Sequence, residues 1–348
     1  MNGQDASARI NLASISYNLD VARVAAPKSK IMAVVKADAY GHGAEVVAGH
    51  LKDADAFAVA RISEAVALRK SGINHPITVL SGLIDQQGIH LAEHYSIDLV
   101  LHSPAQLGLF KHAGVNLWLK FDSGMHRLGL DEGELQDCLG ELPESRVLGL
   151  VSHFSDADEP GSPKNQVQLD YFLSQTKRFG LPGNLSNSAA ILSGLGTDQA
   201  WVRPGIMLYG ANPFVSRSAE LRPVMELTAP VIAVKQLRQG DSVGYGSCWQ
   251  AQDHCTVAVI AIGYADGYPR EIKPNTPVRL NGQRETILGR ISMDMLTISV
   301  TGASPSVGDR AELWGDGIAI EEVAAQAETL SYVLMCGLGA RVPRVYQE

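Results

Sequence analysis

The chain is poor in cysteine, in runs of positive charge and in long apolar stretches, and each scarcity excludes a class of protein. Its four cysteines show no CxxC spacing, which argues against a zinc site or a disulfide framework and favours a reducing compartment, the cytoplasm. No lysine or arginine run exceeds two residues and the net charge is −8, so nucleic acid is not an expected partner. No apolar run approaches membrane-spanning length, and the polar start MNGQDASARI has no secretory signal.

Residues 10–215 alternate between short apolar runs and amphipathic stretches. About eight strand–helix units across roughly two hundred residues is the number that a (β/α)8 barrel of the TIM type requires. A doubly wound parallel sheet would produce the same alternation, so periodicity alone leaves both α/β folds open. The apolar runs are IMAVVK (31–36), FAVA (57–60), ITVL (77–80), DLVL (98–101), LWLKF (117–121) and VLGLV (147–151), followed by weaker ones near 184 and 206.

After Pro223 the pattern changes to strand-like segments, which predict a mainly β second domain that begins near residue 220. Asn281-Gly282 lies between two such segments and is a strong hairpin signal. One helix is predicted around 320–330, because Ile320, Val323, Ala327 and Leu330 share a helical face.

The segment AVVKADAYGHG (33–43) carries the most chemical information. Its apolar run predicts a buried strand that ends in Lys36, and the two glycines around His42 predict a tight loop. Partial burial lowers the pKa of a lysine, and such an amine can form a Schiff base with a carbonyl substrate or with pyridoxal 5'-phosphate (PLP). The alternative is a lysine that packs its stem on the core and extends its ammonium to water.

This segment resembles the cofactor-lysine signature of the alanine racemases, which are PLP enzymes built from a barrel and a β domain. The resemblance extends from about Ile10 to Tyr346 and recurs in the family's order. It implies a barrel over 10–220 and a mainly β domain over 221–348, the latter joined by residues 1–9. The further motifs are LKFDSGMHRLG (119–129), SHFSDAD (152–158), SNSAA (186–190), WVRPGIMLYG (201–210), VGYGS (243–247), IGYADGYPR (262–270), GRISMDM (289–295) and RVPR (341–344).

The resemblance also implies an activity, the interconversion of L- and D-alanine by proton transfer at Cα. Lys36 would bind PLP and transfer the proton on one face, and Tyr245 would do so on the other face. A tyrosine with a pKa of about 10 needs help to act as a base near neutrality, and His153 matches the histidine that contacts it. Because the family donates this tyrosine from the partner subunit, the resemblance implies a homodimer with shared sites.

Cofactor binding is in part expected from the barrel itself, since barrels hold phosphate with the loops after strands seven and eight. Ser188 offers a hydroxyl there, and Gly205 and Ile206 offer backbone N–H groups; the alternatives are a helix cap and a turn glycine. Tyr40 and Tyr332 match the family's two phosphate-contacting tyrosines. Arg203 matches the arginine that donates to the pyridine nitrogen, the alternative being a surface ion pair.

Substrate binding rests on the resemblance as well. Arg127 corresponds to the arginine near the cofactor's phenolic oxygen and the substrate carboxylate. Lys120 would repel Arg127 at close range unless it were a carbamate, as in many relatives; the alternative is an ion pair with an acid such as Asp122. Three residues of the β domain match those that line the substrate entrance: Tyr264, Met293 and Asp294.

Other functions stay open at this point. A serine or broad-specificity racemase would share the fold. A barrel decarboxylase of basic amino acids presents an acid where Arg203 lies, and a PLP carrier with a single barrel lacks a β domain. For a racemase, the sequence does not separate the supply of D-alanine to peptidoglycan from the degradation of alanine.

Overall fold

The computed structural model describes residues 5–214, 220–302 and 304–348, which form two compact units. The chain begins with strand β1 (Ser7–Asn11) and helix α1 (Leu12–Ala25). One unit is Ile15–Leu221, and the other joins the residues up to Ser14 with Arg222–Glu348. That these units are the domains expected over 10–220 and over 221–348 with 1–9 stays a prediction.

The first unit is a closed barrel of eight parallel strands. Strand β2 pairs with β3 on one side and with β9 on the other, which closes the cylinder. This confirms the (β/α)8 barrel and removes the doubly wound sheet. The strands are β2 (Lys30–Val34), β3 (Ala56–Val59), β4 (Ile77–Val79), β5 (Asp98–Leu101), β6 (Leu117–Lys120), β7 (Val147–Val151), β8 (Gly183–Asn184) and β9 (Trp201–Val202).

The apolar runs become strands because nearly every strand residue is buried inside the barrel or under its helices. The expectation of a strand near 206 is wrong: the last strand is Trp201–Val202, and Ile206–Tyr209 is a 3₁₀ helix. Pro204 has no N–H to donate, and Gly205 takes a non-extended conformation that ends the strand. Helices follow the strands: α2 (Lys36–Gly41), α3 (Ala44–His50), α4 (Ile62–Lys70), α5 (Gln86–His94), α6 (Leu107–Phe110), α7 (Glu132–Glu141), α8 (Pro163–Phe179) and α9 (Ser188–Leu192).

The second unit is a mainly antiparallel eight-stranded sheet in the order β13-β16-β15-β14-β17-β10-β1-β18, with a further pairing of β13 with β10. Strand β1 pairs antiparallel with β10 and parallel with β18, so the first described strand of the chain belongs to this sheet. Besides β1, the strands of this sheet are β10 (Met225–Leu237), β13 (Cys255–Ile260), β14 (Pro277–Leu280), β15 (Gln283–Leu288), β16 (Leu296–Val300), β17 (Arg310–Trp314) and β18 (Arg344–Gln347). A separate two-stranded sheet is formed by β11 (Ser242–Val243) and β12 (Trp249–Gln250).

The local signals of this unit hold in part. The Asn281-Gly282 hairpin is confirmed: both residues have positive φ and join the antiparallel pair β14–β15. The helix expected around 320–330 is confirmed as α10 (Ile320–Gln326), but it ends before Ala327 and Leu330, and a second short helix that the sequence missed follows, α11 (Ser331–Gly337). Glu328 takes a left-handed conformation between the two helices. Among the described residues, no helix is both long and apolar enough to cross a membrane.

Candidate active site

The barrel brings most of the predicted site residues of this unit to one end. Parallel strands place all their carboxyl ends at the same face, where barrel enzymes bind substrates. Lys36 follows β2, Lys120 ends β6, His153 follows β7, and Arg203 follows β9. The electrostatic fields of these side chains overlap, because the pKa of His153 responds to Arg203, Lys120, Arg127 and Lys36 together. Five predicted residues therefore share one region.

The backbone after Lys36 is an unusual left-handed turn. Residues 37–40 all have φ of 52–53°, although none is glycine. This conformation costs about 1–2 kcal/mol per residue, so other contacts must hold it. The Ala37 N–H donates to Glu64 Oε1 at 2.6 Å, and Asp38 Oδ1 accepts from the Ala44 N–H at 2.7 Å. Strain of this kind concentrates at functional sites.

Tyr40, Ser188 and Gly205 form a compact cradle of polar groups. Ser188 Oγ accepts from the N–H of Gly205 at 2.9 Å and from the N–H of Met207 at 3.3 Å. A Cβ atom on Gly205 would lie only 2.7 Å from Tyr40 Oη, so the absence of a side chain at Gly205 leaves room for the tyrosine hydroxyl. Ile206, the next residue along the chain, is buried. Because Ser188 Oγ accepts from two N–H groups, its own hydroxyl proton is the group that can point to an oxyanion. The sequence missed Met207, whose signal was its place directly after RPGI.

Arg203 is buried and bound almost entirely by carbonyl oxygens. Its Nη1 donates to the backbone oxygen and to Oδ1 of Asn184, both at 2.6 Å. Its Nη2 donates to the Ser152 carbonyl at 2.6 Å and lies 3.3 Å from His153 Nδ1. Within the part of the chain that the structure describes, the Arg203 Nε–H has no acceptor. A surface ion pair is therefore excluded, and Nε–H is the donor left for a ligand.

Burial lowers the pKa of Arg203 to about 10, which leaves the guanidinium protonated at neutral pH. Burial, and then the charges of Arg203 and Lys120, lower the pKa of His153 well below its usual range, so this imidazole is neutral. A guanidinium only donates, and the contact at His153 Nδ1 therefore requires Nδ1 to accept. The proton of the neutral ring lies on Nε2 as a consequence.

Lys120 lies among other cations. Burial, and then Arg203 and Arg127, lower its pKa to about 8, so part of the amine is neutral near physiological pH. The alternative ion pair with Asp122 is not formed: Asp122 Oδ2 contacts His126 Nδ1 at 3.1 Å, and its Oδ1 accepts backbone N–H groups. Within the described residues, Lys120 has no acidic partner in hydrogen-bond contact. Arg127 is exposed in the loop after β6.

The other predicted residues lie on loops of the β unit. The loop with Tyr264 is bound to the loop with Met293, because the Ala265 N–H donates to the Met293 carbonyl at 2.9 Å. Asp294 Oδ1 accepts from Arg341 at 2.9 Å. The Tyr245 turn contacts the same region, since a Cβ on Gly246 would meet Arg290 Nη1 at 3.0 Å.

Several of these side chains are uncovered in the single chain. Tyr245 is 69% exposed and Met293 53% exposed. Tyr332, on α11, is 38% exposed. Within the described residues the Met293 N–H has no acceptor, so it is available to a ligand. The structure thus joins the loops that carry Tyr264 and Met293, and it places the Tyr245 turn against Arg290, three residues before Met293.

A closed parallel barrel with a lysine after its first strand and an oxyanion cradle after its last two defines a barrel enzyme, here with a β unit in the same chain. The family model "Alanine racemase, N-terminal domain" matches residues 10–213, and "Alanine racemase, C-terminal domain" matches residues 224–346. The chain belongs to the alanine racemase family, which confirms the resemblance seen in its motifs.

Relatives and solved structures agree over the full length. The chain is 46% identical to an alanine racemase of Thioalkalivibrio sulfidiphilus, over 98% of both chains. It is similar to the structure of a biosynthetic alanine racemase from Pseudomonas aeruginosa, with a TM-score of 0.94 and 40% identity, covering 99% of this chain and 100% of that one. An alanine racemase structure from Bartonella henselae, described with covalently bound pyridoxal phosphate, has a TM-score of 0.89 and 29% identity, with 99% of each chain covered.

Proposed function

We propose that this chain is a PLP-dependent enzyme that interconverts L-alanine and D-alanine. The observation that carries the proposal is the joint placement of Lys36, the Ser188 cradle and Arg203 at one end of the barrel. A strand-end lysine, an oxyanion site and a lone N–H donor match the aldehyde, the phosphate and the pyridine nitrogen of PLP, and the chain's family contains a member described with that group bound.

The chain's own residues would hold PLP at three points. Lys36 would bind its aldehyde carbon, and Arg203 Nε–H would donate to its ring nitrogen. The phosphate would lie against Tyr40, Ser188, Gly205 and Ile206, with Tyr332 as a second tyrosine, and the Met207 N–H would help to hold the Ser188 hydroxyl. When bound, PLP supplies an electron sink for the charge that deprotonation leaves at the substrate Cα.

Proton transfer would be divided between two side chains. The amine of Lys36 would act on one face of Cα, and the phenol oxygen of Tyr245 on the other. The Nε2–H of neutral His153 is a donor that can stabilise a tyrosinate, which would lower the tyrosine pKa toward neutrality. Removing Arg203 would remove the donor that requires His153 Nδ1 to accept, and with it one of the charges that keep the His153 pKa low, although burial of the ring would remain.

Substrate binding would use the four residues that match the family's substrate site. Arg127 and the Met293 N–H would bind the alanine carboxylate, and Tyr264 and Asp294 would line the entrance. Asp294 would keep its contact with Arg341, from which its Oδ1 accepts at 2.9 Å. Two alternative functions are disfavoured. A decarboxylase of basic amino acids would have an acid where the carbonyl-bound guanidinium of Arg203 lies, and a PLP carrier with a single barrel would have no β unit. Serine or broader specificity stays open, as does a biosynthetic or a degradative role.

The proposed function is tested by proton NMR of L-alanine in D₂O with the purified, PLP-loaded protein, beside a chiral assay for the D form. We expect the α-proton signal to disappear while D-alanine accumulates. Bound PLP without either change would contradict the proposal. Serine and lysine would then be assayed as substrates, and a lack of reaction with both would favour the carrier function.

Gly205→Ala is expected to weaken PLP binding, because the new Cβ would meet Tyr40 Oη at 2.7 Å inside the cradle. Overpacking of this kind costs about 1–3 kcal/mol, and a titration of the apoprotein with PLP would measure it. Gly140→Ala is the matched control, since nothing lies within 4 Å of that Cβ. Equal PLP affinities in the two variants would argue against a cofactor phosphate in this cradle.

We propose that Lys120 carries a carbamate. Carbon dioxide reacts with neutral amines, and the pKa of about 8 makes part of this amine neutral at physiological pH, more of it as the pH rises. An anion there would also relieve the repulsion from Arg127 and Arg203. With ¹³C-bicarbonate we expect a carbamate resonance that grows between pH 7 and pH 9 and is missing in Lys120→Ala. A bicarbonate-treated crystal with a bare Lys120 amine would refute it.

We propose a homodimer in which Tyr245 of the partner subunit completes each site; the 69% exposure of Tyr245 in the single chain supports it. Lys36→Ala and Tyr245→Phe should then complement each other when unfolded and refolded together. Each mixed dimer of two-fold symmetry would hold one intact site, so an equal mixture should recover about a quarter of wild-type activity. Recovery of no activity from mixed dimers, or a monomer that is fully active at high dilution, would contradict the shared site.

A further inference from the structure

Glu64 connects the loop after Lys36 to the next helix of the barrel. It is the third residue of α4, and its Oε2 accepts from the N–H groups of Ala60 and Arg61, both at 2.9 Å, as a helix cap. Its other oxygen, Oε1, accepts from the Ala37 N–H at 2.6 Å. The helix does not need this second contact, since the cap is complete without it. The contact therefore serves the loop that carries Lys36.

That loop needs support from outside. Residues 37–40 hold a left-handed conformation without a single glycine, and the turn is bound at its two ends. Glu64 binds the first N–H of the turn, and Asp38 Oδ1 binds the Ala44 N–H beyond it. A carboxylate is a stronger acceptor for an amide than a neutral oxygen. Loss of Glu64 would free the end of the turn that adjoins Lys36.

We propose that Glu64 is a positioning residue: through the Ala37 N–H it holds the left-handed turn that orients Lys36. The proposal rests on the proposed function only in giving Lys36 the role of the PLP-binding lysine. Glu64 itself touches neither cofactor nor substrate in this account. Its effect reaches the site through one backbone bond, and the backbone itself can be measured separately from activity.

Glu134 offers a matched control. It is the third residue of α7, and its Oε2 accepts from the Asp131 N–H at 3.0 Å as the same kind of helix cap. Within the described residues its carboxylate makes no further hydrogen bond. Glu134→Ala therefore removes only a cap, of one N–H bond, whereas Glu64→Ala removes a cap of two N–H bonds and the Ala37 contact. Exchange at residues 36–43 separates the Ala37 contact from the caps, because the bonds to Ala60 and Arg61 lie outside that segment.

The experiment is hydrogen–deuterium exchange of the full-length protein, with and without PLP, followed on peptides that cover residues 36–43. We expect exchange of these peptides to be about 10-fold faster in Glu64→Ala, the size expected for loss of a hydrogen bond to a charged group. Exchange in Glu134→Ala should be unchanged. The dissociation constant for PLP should rise by a similar factor in Glu64→Ala alone, with kcat falling more than KM for alanine changes. Glu64→Asp, which keeps the charge near the helix start but is shorter, should show the same pattern if the alanine variant does not fold.

Exchange in 36–43 that matches the wild type, or that rises equally in Glu134→Ala, would overturn the role of Glu64. Failure of the proposed function has a different signature: the wild type would bind no PLP, or Lys36→Ala would keep the bound-cofactor spectrum. In that case the faster exchange in Glu64→Ala would still establish the support of the turn. The two failures are thus distinguishable.

Discussion

Lys36→Ala is expected to abolish the visible absorption of protein-bound PLP and to reduce racemisation by at least about 10⁴-fold, because it removes both the attachment point and one proton-transfer group. Lys36 lies directly after β2, at the barrel end where His153 and Arg203 also lie. Absorption spectra of the PLP-treated variant and a chiral assay would measure the two losses together. The expected effect exceeds that of any cradle substitution, since a cradle substitution leaves Lys36 in place both as the attachment point and as a proton-transfer group.

Lys28→Ala is the control, because this lysine is exposed and precedes β2. It should keep both the spectrum and the activity. Lys36→Arg would guard against misfolding, since it keeps a positive charge but cannot bind the aldehyde at neutral pH. Retention of the visible band in Lys36→Ala would refute the assignment of the lysine.

Tyr245→Phe should impair proton exchange from L-alanine by roughly 10²–10⁴-fold, the usual contribution of a general acid–base group. Exchange from D-alanine should be affected far less, because the Lys36 amine on the other face is unchanged. The variant would then wash deuterium into D-alanine without converting it to the L form. Proton NMR in D₂O, started separately from each enantiomer, measures the asymmetry directly.

Tyr171→Phe provides the comparison for this experiment. Tyr171 is a 39% exposed tyrosine on α8 of the barrel unit, and its hydroxyl has no proposed role. It should exchange both enantiomers at the wild-type rate. If Tyr245→Phe slowed both directions equally, the one-face role would be wrong and Tyr245 would act in binding.

The electrostatics of the barrel end explain why an anionic cofactor and substrate suit it. Lys36, Lys120, Arg127 and Arg203 are close enough to depress the pKa of His153, and the buried Arg203 is bound by carbonyl dipoles in place of an acid. Concentrated positive charge raises the free energy of the site without ligand and favours phosphate and carboxylate. A carbamate on Lys120 would replace one of these positive charges with a negative one and would thereby reduce the repulsion among the cations.

Much of the site could be predicted because its chemistry is local in sequence. Lys36, Ser188 and Arg203 each lie in a short motif at the end of an apolar run, and parallel strands bring such ends together whatever their separation along the chain. The position of the eighth barrel strand, in contrast, was predicted wrongly, because its local sequence pattern is weak. The true strand, Trp201–Val202, is too short to produce a periodic pattern. The apolar segment Ile206–Tyr209 resembles a buried strand in sequence, but it is a buried 3₁₀ helix.

By itself, the sequence determined the family, the barrel, the change to β structure after Pro223, and the types of residue available for chemistry. Only the tertiary structure decided how those residues are held. Nothing in Ala-Asp-Ala-Tyr predicts four left-handed residues, because their cost is offset by contacts such as Ala37 with Glu64, 27 positions away. Likewise, the tautomer of His153 depends on Arg203, which is fifty positions distant in sequence but 3.3 Å distant in space. Strain, protonation and hydrogen-bond direction are set by neighbours in space, and those neighbours exist only once the chain has folded.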